Sequence, residues 1–148
     1  AYEIYQCDWS SDVCSSDLMS DDPVMDAYDL FREGQHRLRK GEAAQATVPL
    51  EKAKRMEPAK SSIREALGIA YFRIGRWQEA EAEFRMVLEL SPVDDYAHYA
   101  LGRALEQQGR SDEALGHYRL ASTMRPSSQH YAKRAWALDD ADAGREAD

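Results

Sequence analysis

Apolar residues in the middle of the chain recur at the spacing of one helix face. Ile63, Leu67, Ala70, Tyr71 and Ile74 follow one another mostly at three- and four-residue steps, which places them on one side of an α-helix. Gly75 stops this helix where a left-handed residue is wanted. A second stripe, Trp77, Ala80, Phe84, Val87 and Leu88, predicts a second helix. Ser91-Pro92 ends it, because the residue before a proline avoids helical geometry. The pattern then repeats: Leu101, Ala104 and Leu105 lead to Gly109, and Ala114, Tyr118 and Ala121 form the next stripe. Ser111 is the candidate N-cap of that helix. Asp22-Pro23 is the candidate opening of the first helix, as N-cap and first helical residue.

The repeat has a period of 34. Pro58, Pro92 and Pro126 keep it, as do Gly34, Gly68 and Gly102, and Gly41, Gly75 and Gly109. Ala46, Ala80 and Ala114 form a fourth column, and the bulky Leu50, Phe84 and Tyr118 a fifth. Glycine on the first helix of each unit and alanine on the second let the two helices approach closely. The large residues fill the space between successive pairs. No unit can bury its stripe alone, so the units must stack.

These columns resemble the tetratricopeptide repeat family. Leu67, Gly68, Tyr71, Gly75, Ala80, Phe84 and Pro92 carry the resemblance in the second unit. Leu101, Gly102, Leu105, Gly109, Ala114, Tyr118 and Pro126 carry it in the third. The first unit keeps Gly34, Gly41, Ala46, Leu50, Ala53 and Pro58, but departs at Glu33 and Arg37, where the other units have apolar or aromatic residues. The implied fold is all-α: an α-solenoid of three antiparallel helix hairpins with a C-terminal solvating helix. The units span about 27–60, 61–94 and 95–128 within a domain of residues 19–138. Pro49 lies inside the second helix of the first unit and predicts a bend near Gln45, not a break. After Pro126, Ser127 or Ser128 can cap a last helix, about 128–138, whose Tyr131, Ala135 and Leu138 cover the third unit. Lys133 and Arg134 would face water.

Charge changes this picture only at the ends. The chain has 148 residues and a net charge of −8, with 43% apolar residues. That apolar content excludes a wholly disordered chain, and the negative balance argues against a nucleic-acid partner. Ala1–Leu18 has four acids, no base and both cysteines, Cys7 and Cys14. Its Asp8–Leu18 segment back-translates to a common sequencing-adapter oligonucleotide, and Ala1–Ile4 fits that adapter's other constant block. Residues 1–18 therefore read as an adapter-derived artefact, with Met19 as a plausible start and upstream sequence open to truncation. Residues 139–148 hold five acids and one base, and read as a disordered tail. The stretch between is neutral, with 18 acidic and 18 basic residues. No apolar run is long enough for membrane insertion and no secretory signal is evident, so the expected location is cytoplasmic. The 14 arginines against 5 lysines suggest a GC-rich, bacterial source.

Candidate chemistry is sparse. His36, His98, His117 and His130 read as isolated surface histidines, since His98 and His117 lie on different helices without paired-ligand spacing. Asp94-Asp95 and Asp112-Glu113 open helices, where negative charge suits the helix dipole. Glu79, Glu81 and Glu83 read as a solvated face. Nothing here composes a catalytic or metal site, so neither an enzyme nor a cofactor is expected.

Binding is the better prospect. In the family the first helices of the units line a concave groove. The resemblance therefore implies groove positions at Tyr28, Phe31, Gln35, Leu38 and Arg39, then at Ser62, Glu65, Ile69, Phe72 and Arg73. Tyr96, Tyr99, Arg103, Glu106 and Gln107 follow in the third unit, with His130 and Lys133 beyond. Aromatic residues and arginines are enriched at binding hot spots. Phe31, Phe72, Tyr96 and Tyr99 are the expected apolar anchors. Arg39, Arg73 and Arg103 favour acidic or aromatic character in the partner. The lysine, asparagine and arginine clamp by which some members hold the acidic tails of chaperones is absent: the matching positions are Phe31, Gln35, Ala66, Tyr96 and Ala100. The expected function is a scaffold or adaptor that binds a peptide or helix of another protein. The alternatives are a self-associating structural repeat protein, such as a homodimer, and a truncated accessory module of a larger protein.

Overall fold

The structure is a computed structural model that describes residues 24–145, with side chains through residue 141. Among the described residues there are seven helices and no strand: α1 (Ala27–Arg39), α2 (Ala43–Met56), α3 (Ser61–Arg73), α4 (Trp77–Leu90), α5 (Asp95–Gln107), α6 (Ser111–Met124) and α7 (Gln129–Arg145). The pairs α1/α2, α3/α4 and α5/α6 are hairpins, and α2 packs on α3, α4 on α5 and α6 on α7. The first helices also touch directly, α1 with α3 and α3 with α5. The chain is thus the all-α stack of three hairpins and a closing helix that the 34-residue period implies. Ala1–Leu18, with the adapter reading, and the Asp22-Pro23 pair lie outside the described residues.

The turn inside each hairpin is set by a glycine. Gly41, Gly75 and Gly109 have φ of 83°, 79° and 78°, a region that side chains with a Cβ rarely enter. Past Gly75, the Arg76 amide reaches back to the Tyr71 carbonyl at 2.9 Å, the closure that ends a helix through a left-handed residue. The second glycine column works by contact. A Cβ on Gly68 would lie 2.8 Å from Phe84 Cε1, one on Gly102 would lie 2.7 Å from Tyr118 Cε1, and one on Gly34 would collide with Leu50. The glycine therefore receives the large side chain of its own hairpin. Leu50, Phe84 and Tyr118 are at most 1% exposed, and Ala46, Ala80 and Ala114 are fully buried beside them. Two buried tyrosines direct their hydroxyls to carboxylates: Tyr71 donates to Glu51 and Tyr118 to Glu106, each at 2.6 Å.

Several local expectations are corrected. The first described helix starts at Ala27, where Asp26 accepts from the Asp29 amide at 2.8 Å and caps it. Ser111 is the first residue of α6 and not its cap; Arg110 holds the cap position without a side-chain bond. Pro49 is buried within α2, which as expected is not broken there and runs 14 residues, the length of α4 and α6. The departure at Glu33 and Arg37 becomes an ion pair one turn apart, with 2.6 Å between Arg37 Nη2 and Glu33 Oε1. It occupies the positions where the later units pack apolar or aromatic side chains.

The last helix differs most. Tyr131 and Ala135 are buried as the stripe requires, and Leu138 is half-buried. Arg134, whose side chain is 37% exposed, does not face water alone: its Nε donates to Glu106 at 3.0 Å, and a second guanidinium nitrogen bonds the other carboxylate oxygen. The helix continues past Leu138 through Arg145 rather than giving way to a disordered tail at 139. Arg119 of α6 holds Asp139 at 2.7 Å, and the alanines beyond favour helix.

Candidate functional site

Because α1, α3 and α5 stand side by side, residues that recur every 34 positions on them form rows across one face. Two hollows lie between these helices. The first, about 270 Å³, is walled by Phe31, Gln35 and Arg39 of α1 and by Glu65, Ile69 and Arg73 of α3, with Leu38, Ser62 and Ala66 completing it. The second, about 210 Å³, lies between α3 and α5 and is lined by Ile69, Phe72, Arg73, Tyr96, Tyr99 and Arg103, with Phe84 and Ala100 beneath. Ile69 and Arg73 belong to both, so the two form one furrow across three hairpins.

Twelve of the seventeen positions expected in the groove line this furrow. The other five do not: His130 is exposed on α7, where it pairs with the Tyr99 hydroxyl, and the remaining four lie elsewhere. Tyr28 is 64% exposed, with the Arg32 guanidinium 5.9 Å from its ring centre. Glu106 is already engaged by Tyr118 and Arg134. Gln107 lines a separate hollow beside the Gly75 turn. Lys133 is exposed on α7, outside both hollows. Ala66 and Ala100, named above only as clamp-matching positions, also line it, as does Phe84, which the columns did not place there. Phe84 is the instructive one: it comes from a second helix, and its ring reaches the furrow floor because Gly68 leaves room for it.

Tyr99 is a correction of role. It is 7% exposed and stacks 4.8 Å from Tyr131, with the tilted rings of His130 and Tyr118 at 5.1 Å and 5.6 Å. Its hydroxyl pairs with His130 Nε2 at 2.5 Å. The closing helix covers it, so it is part of the floor and not an anchor. Phe31, Ile69 and Phe72 are half-buried and Tyr96 is 36% exposed, so these four present apolar surface in the furrow.

The cations are placed with some precision. Arg73 donates to the Leu38 carbonyl at 2.7 Å, bridging the first two units. The Arg103 guanidinium sits over the Phe72 ring at 5.2 Å and donates to the Tyr99 hydroxyl at 3.3 Å. Its Nε is buried and has no acceptor among the described residues. Burial first, then the nearby Asp94, raises the Glu65 carboxyl above the usual carboxylate range. Burial first, then Glu65, raises the Tyr96 hydroxyl, while Arg73 and Arg103 pull it down. With three arginines and one carboxylate on its walls, the furrow is cationic within a neutral solenoid.

Two readings of chemistry also change. Glu83 is not on a solvated face: it is 6% exposed and takes Lys54 at 2.5 Å and Arg64 at 2.9 Å. Glu81 is similarly enclosed and holds Arg110 at 2.9 Å and Arg85 at 2.8 Å. His98 and His117 are not isolated surface residues. The hairpin brings their Nδ1 atoms to 3.0 Å, and His98 is 7% exposed. The signal was present in the unit above, where Arg64 and Glu83 have the same separation along the chain. Among the described residues, no group of three or more histidine, cysteine, aspartate or glutamate side chains could hold a metal ion. No described helix is long and apolar enough to cross a membrane.

Comparison with known proteins matches these features. The tetratricopeptide repeat family matches over residues 31–95 and 65–128. Superkiller complex protein 3 of Mus musculus is 31% identical over 95 residues, which is 64% of this chain and only 6% of that protein's length. Among solved structures, the first tetratricopeptide domain of Spaghetti (RPAP3), bound to the HSP90 peptide SRMEEVD, superposes with a TM-score of 0.76 at 20% identity, covering 79% of this chain and 93% of that one. MamA superposes with a TM-score of 0.78 at 20% identity, covering 89% and 76%.

Proposed function

The chain belongs to the tetratricopeptide repeat family, and from that premise we propose that it binds a segment of another protein along the furrow of α1, α3 and α5, as a scaffold or adaptor. The observation that carries this reading is the furrow itself. It is continuous over three hairpins and joins half-buried apolar side chains to guanidinium groups with donors to spare. The fitting ligand is a peptide or helix with an aromatic or branched side chain next to a carboxylate. The apolar group sits against Ile69, Phe72 and Tyr96, and the carboxylate meets Arg73 and Arg103 in charge-assisted bonds. Aromatic and arginine side chains at the centre of a concave site are where binding energy concentrates. The Spaghetti domain, of the same fold, holds a peptide, which supports peptide binding in general. Its acidic chaperone peptide is not the ligand favoured here, since the clamp residues are missing.

The test starts with a phage-displayed peptide library selected on the immobilised protein. The enriched peptides are then titrated by calorimetry against wild type and against Phe72→Ala/Arg103→Ala. Hot-spot losses of about 1–3 kcal/mol per residue predict at least a tenfold weakening. Unchanged affinity for every enriched peptide would place the ligand elsewhere.

A further inference from the structure

The repeat allows one position inside the hairpin to be compared three times. Between α1 and α2 it holds Leu30 and Pro49, both buried. Between α3 and α4 it holds Arg64 and Glu83, an ion pair at 2.9 Å. Between α5 and α6 it holds His98 and His117. Their rings are stacked with centroids 5.3 Å apart and planes 27° apart. Their Nδ1 atoms are 3.0 Å apart, and His98 Nε2 lies 3.1 Å from the Pro92 carbonyl oxygen.

These distances limit the proton count. The Pro92 carbonyl can only accept, so His98 Nε2 carries its hydrogen. A neutral His98 then has a lone pair at Nδ1, which accepts from the Nδ1–H of His117. One proton more goes to His117 Nε2 and leaves that bond intact. A second extra proton has only His98 Nδ1 left to occupy. It would set N–H against N–H at 3.0 Å between two stacked cations. The folded hairpin thus holds at most one charge on the pair, whereas the unfolded chain takes two.

The surrounding charges do not relieve this. From α4, Arg85 and Glu81 face the pair but are bonded to each other, and Glu81 also holds Arg110. On α6, Glu113 is held by Arg110. On the α5 side, Asp94 is committed to the Ala97 amide. Burial first, then His98, keeps the His117 imidazole below its usual range.

We infer that the His98–His117 pair is a proton-operated latch on the third hairpin, which holds near neutral pH and releases α5, α6 and the closing α7 on mild acidification. The direction follows from proton binding. Below about pH 6.5, where a free histidine charges, the unfolded state binds more protons than the folded one, so stability falls as pH falls. For one excluded proton the unfolding constant rises up to about 30-fold between neutral pH and pH 5. The first two hairpins lack this dependence at the equivalent position. The latch rests on the hairpin geometry alone and does not need the furrow to bind anything.

Urea unfolding of the whole chain at pH 7.5 and 5.0, with histidine ring protons followed by NMR, tests it. In wild type the two rings together should take up no more than one extra proton while the fold is intact, and stability should drop at pH 5. His98→Arg/His117→Glu installs the pair of the second unit, and His117→Gln offers His98 Nδ1 an acceptor. Each variant that folds should lose at least half of the wild-type drop. The latch is overturned if both rings charge near the ordinary histidine value with the fold intact. It is also overturned if the drop persists undiminished in whichever variant folds.

Discussion

A single glycine can be required for its backbone or for its missing side chain, and this chain separates the two cases. Gly75 needs its positive φ. Gly68 sits in ordinary helical geometry but has Phe84 where a Cβ would go. Gly116 in α6 has nothing within 4 Å of that position. Alanine gains about 1 kcal/mol over glycine in a helix interior. Gly116→Ala should therefore stabilise the fold by about 0.5–1 kcal/mol. Gly68→Ala should destabilise it despite that gain, because overpacking against a buried ring costs about 1–3 kcal/mol. Urea denaturation of the two variants side by side reads both signs. The glycine and proline columns were legible in the sequence because a fixed backbone or packing need leaves the same residue every 34 positions. The fate of Tyr99 was not. Its column also holds Phe31 and Glu65, and only the arrival of Tyr131 and His130 from α7 makes it a floor residue.

Helices in this stack are joined by buried charge as well as by apolar faces. Glu83 of α4 holds Lys54 of α2 and Arg64 of α3, and so ties two hairpins at one point. Read from the sequence, its alternation with Glu79 and Glu81 suggested solvent. Burial is decided instead by what crosses over it from the neighbouring unit. Glu83→Gln keeps the shape but leaves two cations without a counter-charge. Partners that keep some solvent contact soften the usual penalty for a broken buried pair, which gives an expected loss of about 2–3 kcal/mol. Glu79→Gln, on the exposed Arg76–Glu79 pair, should cost less than about 1 kcal/mol. Equal midpoints for the two variants in urea would show that Glu83 carries no such tie. The extent of α7 was likewise hidden. An acidic run reads as a tail until Arg119 and Asp139 are seen to meet across two helices.

For the whole molecule, the order of the elements decides where chemistry can gather. Each unit contacts its neighbours alone, as in other solenoids. One face of every first helix therefore stays open, and the rows on those faces join into a furrow. The row positions could be counted from the period, which is why most of the furrow was readable before the structure. Its occupied and buried members, Glu106 and Tyr99, could not. The net charge of −8 gave no hint of a cationic furrow, because the acidity of the solenoid is balanced and local arrangement sets the field. If this face receives the partner, an amide NMR titration of the protein with a peptide taken from the library selection will show it. The largest shifts should fall on α1, α3 and α5, centred on Ile69, Phe72, Tyr96 and Arg103. Shifts concentrated on α2, α4 and α6, with those four residues unmoved, would contradict it.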